Sequence, residues 1–243
     1  MPLLAILLLV VQIFFAVHAV RTGRDKFWIY IIIFIPAIGC LLYFLTQVLP
    51  DLGQSRAVRN AGTSLMKAVD PQRELRRRKD ELEVSDSIEN RMRLADECVE
   101  ANFFDDAIAL YERCLEATHK HDPGIMLKLA RAQFLKGQPD KTKETLDSLI
   151  RTNPDYKSTD GHLLYARSLE SMGSIEEAIK EYEVLLSSYP GEEARVRYAL
   201  LLKRQGRTER AQALFKETLT RARRSPKYYR SREKEWIQTA EAN

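Results

Sequence analysis

The sequence predicts an all-α protein: two transmembrane helices, then an α-solenoid of about four helix–turn–helix repeats, closed by a C-terminal capping helix. Three observations support this fold class. The first ~50 residues are almost wholly apolar, a set of small and large residues recurs every 33 to 36 positions, and no segment alternates as a strand does. The predicted domains are 1–50 (membrane hairpin), 51–84 (basic helical linker), 85–225 (repeats) and 226–243 (capping helix and tail).

The first apolar run, Leu3–Val20, is interrupted only by Gln12 and His18. Its 18 residues approach the length of about 20 that a helix needs to cross a bilayer. A cleaved secretory signal is the alternative, because Val17-His18-Ala19 is similar to a cleavage site. The absence of a basic segment before the run, and the second apolar run soon after it, favour the membrane helix.

The second run, Phe27–Leu49, predicts the stronger span. Aromatic residues at its start suit the interfacial belt of a membrane helix, and Pro36 and Gly39 are tolerated inside such a helix where a partner helix packs against them. The short basic stretch Arg21–Lys26 joins the two runs, so the sequence predicts a hairpin with both chain ends on one side.

The basic turn, the aromatic entry and the pattern Pro36-x-x-Gly39-x-x-x-Tyr43 resemble the N-terminal membrane hairpin of phospholipase D-type proteins, including cardiolipin synthases. The catalytic His-x-Lys-x4-Asp motif of that family is missing, since none of the four histidines stands two residues before a lysine. The resemblance therefore implies an anchor without phosphodiester chemistry.

Basic residues close to the predicted spans are balanced between the two sides, and those beyond residue 70 favour a cytoplasmic location for the repeats. The sequence thus predicts a multi-pass protein of a bacterial inner membrane. The linker from Pro50 to Leu82 has a basic balance, which favours contact with anionic lipid, although a solvated connector has the same composition.

The rest of the chain is organised by four series of positions that step by 35, 36 and 33 residues. They are a small residue in a first helix (Ala95, Ala130, Ala166, Ala199), a turn residue (Asn102, Gly137, Gly173, Gly206), a small residue opening a second helix (Ala107, Thr142, Ala178, Ala211) and a large apolar residue (Tyr111, Leu146, Tyr182, Phe215). This pattern resembles the tetratricopeptide repeat over Ile88–Ser225. The resemblance implies that the small residues lie where two antiparallel helices approach closely.

In the tetratricopeptide family the first helices of successive repeats line a concave groove that binds partners. Carried over by position, the resemblance places these residues there: Met92, Asp96, Val99, Leu127, Arg131, Phe134, Leu163, Arg167, Glu170, Val196, Leu200 and Lys203. Arg131 and Arg167 hold the same place in adjacent repeats and could receive a peptide carboxylate. Pairing of both with neighbouring acidic residues of the chain is the alternative.

Beyond the fourth repeat, Pro226–Ala240 predicts one more helix, with an apolar stripe formed by Tyr229, Trp236, Ile237 and Ala240. A solenoid needs a terminal element with a polar outer face, and this helix has that pattern.

No residue pattern points to catalysis, a cofactor or a metal. His119 and His121 do not share a helix face, and the phosphate-loop, dinucleotide, nucleophile-elbow and zinc-protease motifs are absent. Cys98 and Cys114 fall at inward positions, as reduced core thiols or as a disulfide across a helix pair. The sequence predicts no enzyme.

Charge is distributed unevenly along the repeats. Residues 80–122 contain 13 acidic and 4 basic residues, and residues 203–234 contain 3 acidic and 12 basic ones. This asymmetry favours a charged protein partner or self-association, whereas nucleic acid is disfavoured because aromatic residues are few among the basic ones. The predicted function is a membrane-anchored scaffold that binds a protein or peptide in its groove. The alternative is a non-catalytic regulator or subunit of a phospholipid-synthesis or envelope-assembly complex.

Overall fold

The computed structural model describes residues 2–22, 25, 27–48, 70, 72–116 and 119–243. The chain forms two compact units, Met1–Arg73 and Glu74–Asn243. Over the described residues every regular element is helical, with 14 α-helices and one π-helical turn. Most of the predicted linker, residues 51–69, lies outside the described residues, so its proposed lipid contact stays a prediction.

The N-terminal unit contains helices α1 (Pro2–Arg21), α2 (Phe27–Phe34) and α3 (Pro36–Tyr43), followed by the π-helical turn Phe44–Val48. Among its described residues, the buried hydrophobic side chains are those of Ala19, Ile32, Cys40 and Tyr43. The two polar residues of the first apolar run both bond across the unit, since Gln12 Nε2 donates to the Ile32 carbonyl at 2.8 Å and His18 Nδ1 lies 3.0 Å from the Tyr43 hydroxyl.

The prediction of one continuous helix over 27–49 is wrong. The backbone bends at Ile35 (φ −126°, ψ 76°), directly before Pro36, because proline has no N–H for the helical ladder and disfavours helical angles in the preceding residue. After the bend α3 comes so close to α2 that a Cβ on Gly39 would lie 2.4 Å from the Ile31 carbonyl oxygen. The glycine therefore permits the close approach of the two short helices.

Among the side chains of the N-terminal unit that the structure describes, most of the large apolar ones are exposed: Leu9, Val10, Val11, Ile13, Phe14, Val17, Val20, Phe27, Tyr30, Ile33, Phe34, Ile35, Ile38, Leu41, Leu42 and Leu45. Phe34 is the extreme case, with 77% of its surface exposed. Within the described part of the chain, however, no helix has both the length and the apolar character that a bilayer crossing requires. The predicted pair of membrane spans is therefore not supported.

The second unit is a succession of antiparallel helix pairs preceded by one extra helix, α4 (Arg73–Val84), whose Leu75 is buried against the first pair. The pairs are α5 (Ile88–Glu100) with α6 (Phe104–Cys114), α7 (Pro123–Leu135) with α8 (Pro139–Thr152), α9 (Thr159–Ser171) with α10 (Ile175–Ser188), and α11 (Glu193–Arg204) with α12 (Thr208–Arg224). Each pair packs on the next, which confirms the predicted solenoid of four helix–turn–helix repeats.

The inner frame of the repeats follows the four predicted series. All eight small residues are fully buried, and the four large residues beside them are at most 4% exposed. Asn102, Gly137, Gly173 and Gly206 all have positive φ, between 61° and 82°. At each turn the next residue donates its N–H to a carbonyl five residues earlier, as Ser174 does to Leu169 at 2.9 Å, which closes the first helix of every repeat in the same way.

The predicted capping helix is two short helices, α13 (Lys227–Arg232) and α14 (Lys234–Glu241). The break lies at Glu233, whose carboxylate accepts the backbone N–H of Glu192 at 3.0 Å and the Nε of Arg232 at 2.8 Å. These bonds fix the break, while Ala240 and Trp236 pack on the core of the last two repeats as the apolar stripe predicts.

Candidate partner-binding groove

Repeats two and three enclose a cavity of about 390 Å³ that is lined mainly by their first helices, α7 and α9. Five of the predicted groove residues lie around it: Leu127, Arg131, Phe134, Leu163 and Arg167. The cavity also contains Lys128, Asp160 and Glu193, so its wall combines apolar and charged groups. The repeat position therefore brings these five residues together, as the pattern predicts.

Arg167 is the central cation of this cavity. Its guanidinium carbon lies 4.6 Å from the centre of the Phe134 ring, which is the geometry of a cation–π contact. Its nearest carboxylate oxygen belongs to Glu193 and lies 3.9 Å away, at the limit of an ion pair. Glu193 is engaged more closely by Arg197, at 2.7 Å. Arg167 thus has an aromatic support and only a distant counter-charge.

The surroundings of the Arg167 guanidinium disfavour its charged form. Burial lowers its pKa, and the positive charge of Arg197 lowers it further, against the weaker opposing effect of Glu193. Arg131, one repeat earlier, is exposed at the same cavity and has no carboxylate within ion-pair distance among the described residues. The alternative that both arginines are neutralised by neighbouring acidic residues therefore does not hold for Arg131.

The equivalent position in the first repeat is already occupied by its own ion pair. Asp96 accepts from Lys128 Nζ at 2.6 and 2.8 Å and from the Tyr111 hydroxyl at 2.5 Å. The Tyr111 pKa is raised by burial and by this carboxylate. Met92 and Val99 are half-buried against the core of the first repeat, so these three groove positions offer no unpaired charge.

At the other end of the groove a second cavity, of about 490 Å³, is lined by Glu170, Arg197, Leu200, Lys203, Arg204 and Asn243. Glu170 bonds with the Tyr182 hydroxyl at 2.7 Å and also with Arg204. Lys203 donates to the Asn243 side chain at 2.9 Å. Val196, by contrast, is completely buried in the core beside Ala240, which leaves it out of reach of a partner.

A third cavity, of about 580 Å³, is lined mostly by residues that the sequence did not single out. It lies among α8, α9, α10 and the loop before α9, with Ile150, Tyr156 and Val184 exposed at its wall. His162 Nε2 lies 2.7 Å from Glu181 Oε2 on the same wall. Outward apolar residues on second helices are the only sequence signal for it, and isolated residues of that kind are common on surfaces.

Neither a metal site nor a disulfide is found in the described residues. No group of three His, Cys, Asp or Glu side chains is placed to hold a metal ion there. Cys98 and Cys114 are both buried with free thiols, and burial raises the Cys98 pKa to about 11. The two thiols therefore act as small apolar groups in the first repeat.

Comparisons with known proteins agree with this geometry. Two family models described as tetratricopeptide repeat match residues 99–160 and 160–191. Over these residues the chain is similar to tetratricopeptide repeats. The match covers the second helix of the first repeat, repeats two and three, and thus the whole cavity around Arg167 except Glu193. A comparison with curated protein sequences gave no match.

Solved structures of the same architecture share the tetratricopeptide-repeat fold at low identity. A structure of MamA is 22% identical, with a TM-score of 0.53 over 62% of this chain and 87% of that chain. The protein TTC0263 of Thermus thermophilus, described as a thermophilic tetratricopeptide-repeat protein, is 19% identical, with a TM-score of 0.51 over 74% and 96%. YrrB, described as having an unusual peptide-binding site, is 16% identical, with a TM-score of 0.50 over 65% and 81%.

Proposed function

We propose that this chain is a non-catalytic scaffold that binds a protein or peptide partner in the groove of its tetratricopeptide repeats, with a partner carboxylate received by Arg131 and Arg167. The observation that supports this most directly is the Arg167 guanidinium. It is held against Phe134, faces a cavity of about 390 Å³, and has its nearest carboxylate only at 3.9 Å.

A peptide carboxylate would supply the close counter-charge that Arg167 lacks. Arginine offers a rigid fork of N–H donors, and bidentate contacts with carboxylates are stronger than bonds between neutral groups. The contact with Phe134 restrains the fork before the partner arrives, which lowers the entropic cost of binding. The apolar wall of Leu127, Leu135 and Leu163 would accept a side chain next to the carboxylate.

The test uses the full chain in mild detergent and an array of short peptides. Each peptide is made once with Asp or Glu and once with Asn or Gln at the same positions. We expect the wild type to prefer the acidic version by about tenfold, as the strength of a charged hydrogen bond implies. Arg167→Met should reduce that preference because it keeps the apolar stem and deletes the fork, while Arg131 is retained.

Arg151→Met is the matched control, because Arg151 is exposed on the second helix α8, away from the cavity around Arg167. It should retain the preference of the wild type. An Arg167→Met variant that distinguishes the two peptide versions as well as the wild type does would contradict the proposal.

We also propose that the N-terminal unit attaches the scaffold to a membrane, as an inner-membrane protein of bacterial type with cytoplasmic repeats. The support is the exposed apolar surface between Leu9 and Leu45, since a soluble monomer rarely exposes contiguous apolar patches of this kind. Alkaline extraction of membranes should leave the full chain in the pellet and release a variant lacking residues 1–49. Recovery of the full chain in the soluble fraction would contradict membrane attachment.

The sidedness is tested with a single cysteine at Ser225, a half-buried residue at the end of α12, in a chain whose three native cysteines are replaced by alanine. A membrane-impermeant thiol reagent should label it only after cell lysis if the repeats are cytoplasmic. A subunit of a lipid-synthesis complex would lose its function on deletion of residues 1–49, whereas a scaffold should keep its soluble partner.

A further inference from the structure

The two ends of the repeat array carry opposite, unneutralised charge. At the start, Glu100, Asp106, Glu112 and Glu116 are exposed and have no basic partner within ion-pair distance among the described residues; we call them the acidic end. At the finish, Lys216, Arg223, Arg224, Lys227 and Arg230 are exposed and, over the same described ranges, equally without a carboxylate partner; we call them the basic end.

The minority charges of each segment, basic in the first and acidic in the last, are mostly engaged in ion pairs near the same end. In residues 80–122 the basic side chains of Arg91, Arg93 and Arg113 each lie against a carboxylate of the same segment. In residues 203–234, all of them described, Glu217 faces Arg195 and Glu233 faces Arg232, which leaves Glu209 as the one exposed carboxylate without such a partner. Residues outside the two segments neutralise part of each charge: Lys128 and Lys136 pair with Asp96 and Asp105, and Glu170, Glu176 and Glu192 pair with Arg204, Arg207 and Arg221. The net charges of the segments, −9 from 13 acidic and 4 basic residues and +9 from 3 acidic and 12 basic, are therefore only partly neutralised, and the acidic end and the basic end carry charge that remains exposed.

The two ends cannot neutralise each other within one molecule. They belong to the first and the last repeat, and repeats two and three lie between them, with helix packing confined to neighbouring repeats. A partner outside the molecule is needed. An anionic lipid surface or a nucleic acid would neutralise the basic end and leave the acidic end without a partner. A second copy of this chain satisfies both.

We infer that the basic end of one copy docks on the acidic end of another, so that the arrays associate head to tail. This inference is independent of the groove and of its proposed peptide. Because the two docking surfaces differ, the contact is heterologous and extends to further copies unless the rotation closes a ring. Tyr228, 74% exposed beside Lys227, adds apolar area at the basic end.

Exposed ion pairs are individually weak and are screened by salt, with a Debye length of about 10 Å at 0.1 M and about 3 Å at 1 M ionic strength. The association should therefore be strong only at low salt. Sedimentation velocity of the full chain in detergent should show species larger than one copy in about 50 mM salt, and at least about tenfold weaker association in about 500 mM salt.

Charge reversal tests the partner directly. A triple variant with Lys216→Glu, Arg223→Glu and Arg224→Glu should associate at least about tenfold less than the wild type at low salt, and so should a variant with Asp106→Lys, Glu112→Lys and Glu116→Lys. The chain with all six reversals should associate again, because its ends are complementary with exchanged signs. All six positions are exposed, and circular dichroism checks that the helices are retained.

The variant with all six reversals distinguishes head-to-tail association from other modes of association and from lipid binding. Association through the apolar N-terminal unit would not respond to salt or to any reversal, and that result would overturn the proposal. A second result would also overturn the proposal: the chain stays monomeric in detergent but binds vesicles of anionic phosphatidylglycerol. If reversal of the basic end abolishes this binding and the variant with all six reversals does not recover it, the basic end contacts lipid instead.

Discussion

Arg91 and Arg195 occupy the same position of the repeat, four residues before Ala95 and Ala199, in very different surroundings. In the first repeat, Arg91 Nε pairs with Asp86 at 2.5 Å, and half of the Asp86 side chain is exposed to water. In the fourth repeat, Arg195 is 4% exposed and pairs at 2.7 Å with Glu192, which is not exposed at all. The same position of the repeat therefore carries a surface ion pair at the start of the array and a buried ion pair at its end.

The buried pair belongs to a junction between the fourth repeat and the cap. Glu192 also accepts from Arg221 Nε at 3.0 Å and from the Tyr229 hydroxyl at 2.8 Å, so that one carboxylate contacts side chains of α11, α12 and α13. Arg195 additionally donates to the Leu186 carbonyl at 3.1 Å. The small and large residues of the inner frame therefore make the repeats alike. The position of Arg91 and Arg195 lies outside that frame, and its role differs in the last repeat, where the cap packs on the array.

The largest effect should come from breaking the buried pair. Arg195→Ala leaves the Glu192 carboxylate buried with fewer counter-charges, and loss of one member of a buried ion pair costs about 3 to 5 kcal/mol of unfolding free energy. In a Trp28→Phe background, Trp236 of the cap is the only tryptophan, so its fluorescence in a urea titration reports this junction.

Arg91→Ala at the equivalent position of the first repeat is the matched control. Its partner Asp86 is solvated, so we expect no measurable change in the unfolding midpoint. Equal destabilisation by the two substitutions would contradict the distinction between the surface pair and the buried junction.

The second prediction concerns pH. Burial acts to raise the Glu192 pKa, but hydrogen bonds from Tyr229 and Arg221 and the charge of Arg195 outweigh it and lower the pKa. The pKa in the folded state thus lies below the ordinary glutamate value of about 4.3. The contribution of Glu192 is therefore present above that pH and lost as the pH falls through the lowered pKa.

Trp236 fluorescence should accordingly show the cap losing stability in acid. Glu192→Gln should be less stable than the wild type at neutral pH and should show a flatter acid dependence. Asp86→Asn is the control, because Arg91 lowers the Asp86 pKa through a hydrogen bond in the first repeat, far from the tryptophan. If Asp86→Asn flattens the cap transition as much as Glu192→Gln does, the assignment to Glu192 is wrong.

The repeat frame could be predicted because it depends on contacts that are local or periodic. A helix pair can approach closely only where a side chain as small as that of Ala166 or Ala178 lies between the axes, and a positive φ favours glycine at Gly173. Both requirements return in every repeat, so they leave a pattern in a single sequence.

The junction and the cation site depend on pairs that are distant in sequence, and periodicity does not contain them. Glu192 meets Arg221 and Tyr229 after 29 and 37 residues, and nothing about Glu192 by itself marks it as buried. Position alone brought Arg131 and Arg167 to one cavity, but it did not predict the contact of Arg167 with Phe134. Val196 was placed in the groove by the same rule and is completely buried, and Leu163 at the same position of the third repeat is only 4% exposed, so the repeat position does not by itself predict exposure.

The smallest expected effect compares the turns of the same two repeats. Asn102 has φ 61° and Gly206 has φ 74°, so both residues adopt the left-handed region, where a Cβ costs about 1 to 2 kcal/mol. A Cβ on Gly206 would meet no atom within 4 Å, so that Gly206→Ala isolates this backbone cost, which we expect to be about 1 kcal/mol. Asn102→Gly should change stability in the opposite direction by less than about 1 kcal/mol, because asparagine tolerates this region better than alanine does.

Gly124→Ala supplies the control for this last pair, since Gly124 lies in the first turn of α7 without a positive φ, and alanine is favoured over glycine in helices. A Cβ on Gly124 would lie 3.3 Å from Asp122 Oδ1, a contact that a small shift of this side chain relieves, so the substitution should be neutral or stabilising in the same urea titration. If Gly206→Ala were equally harmless, the turn would be able to relax out of the left-handed region. The turns of the first and fourth repeats would then resemble each other in sequence, but their fold would not require the left-handed backbone conformation at this residue.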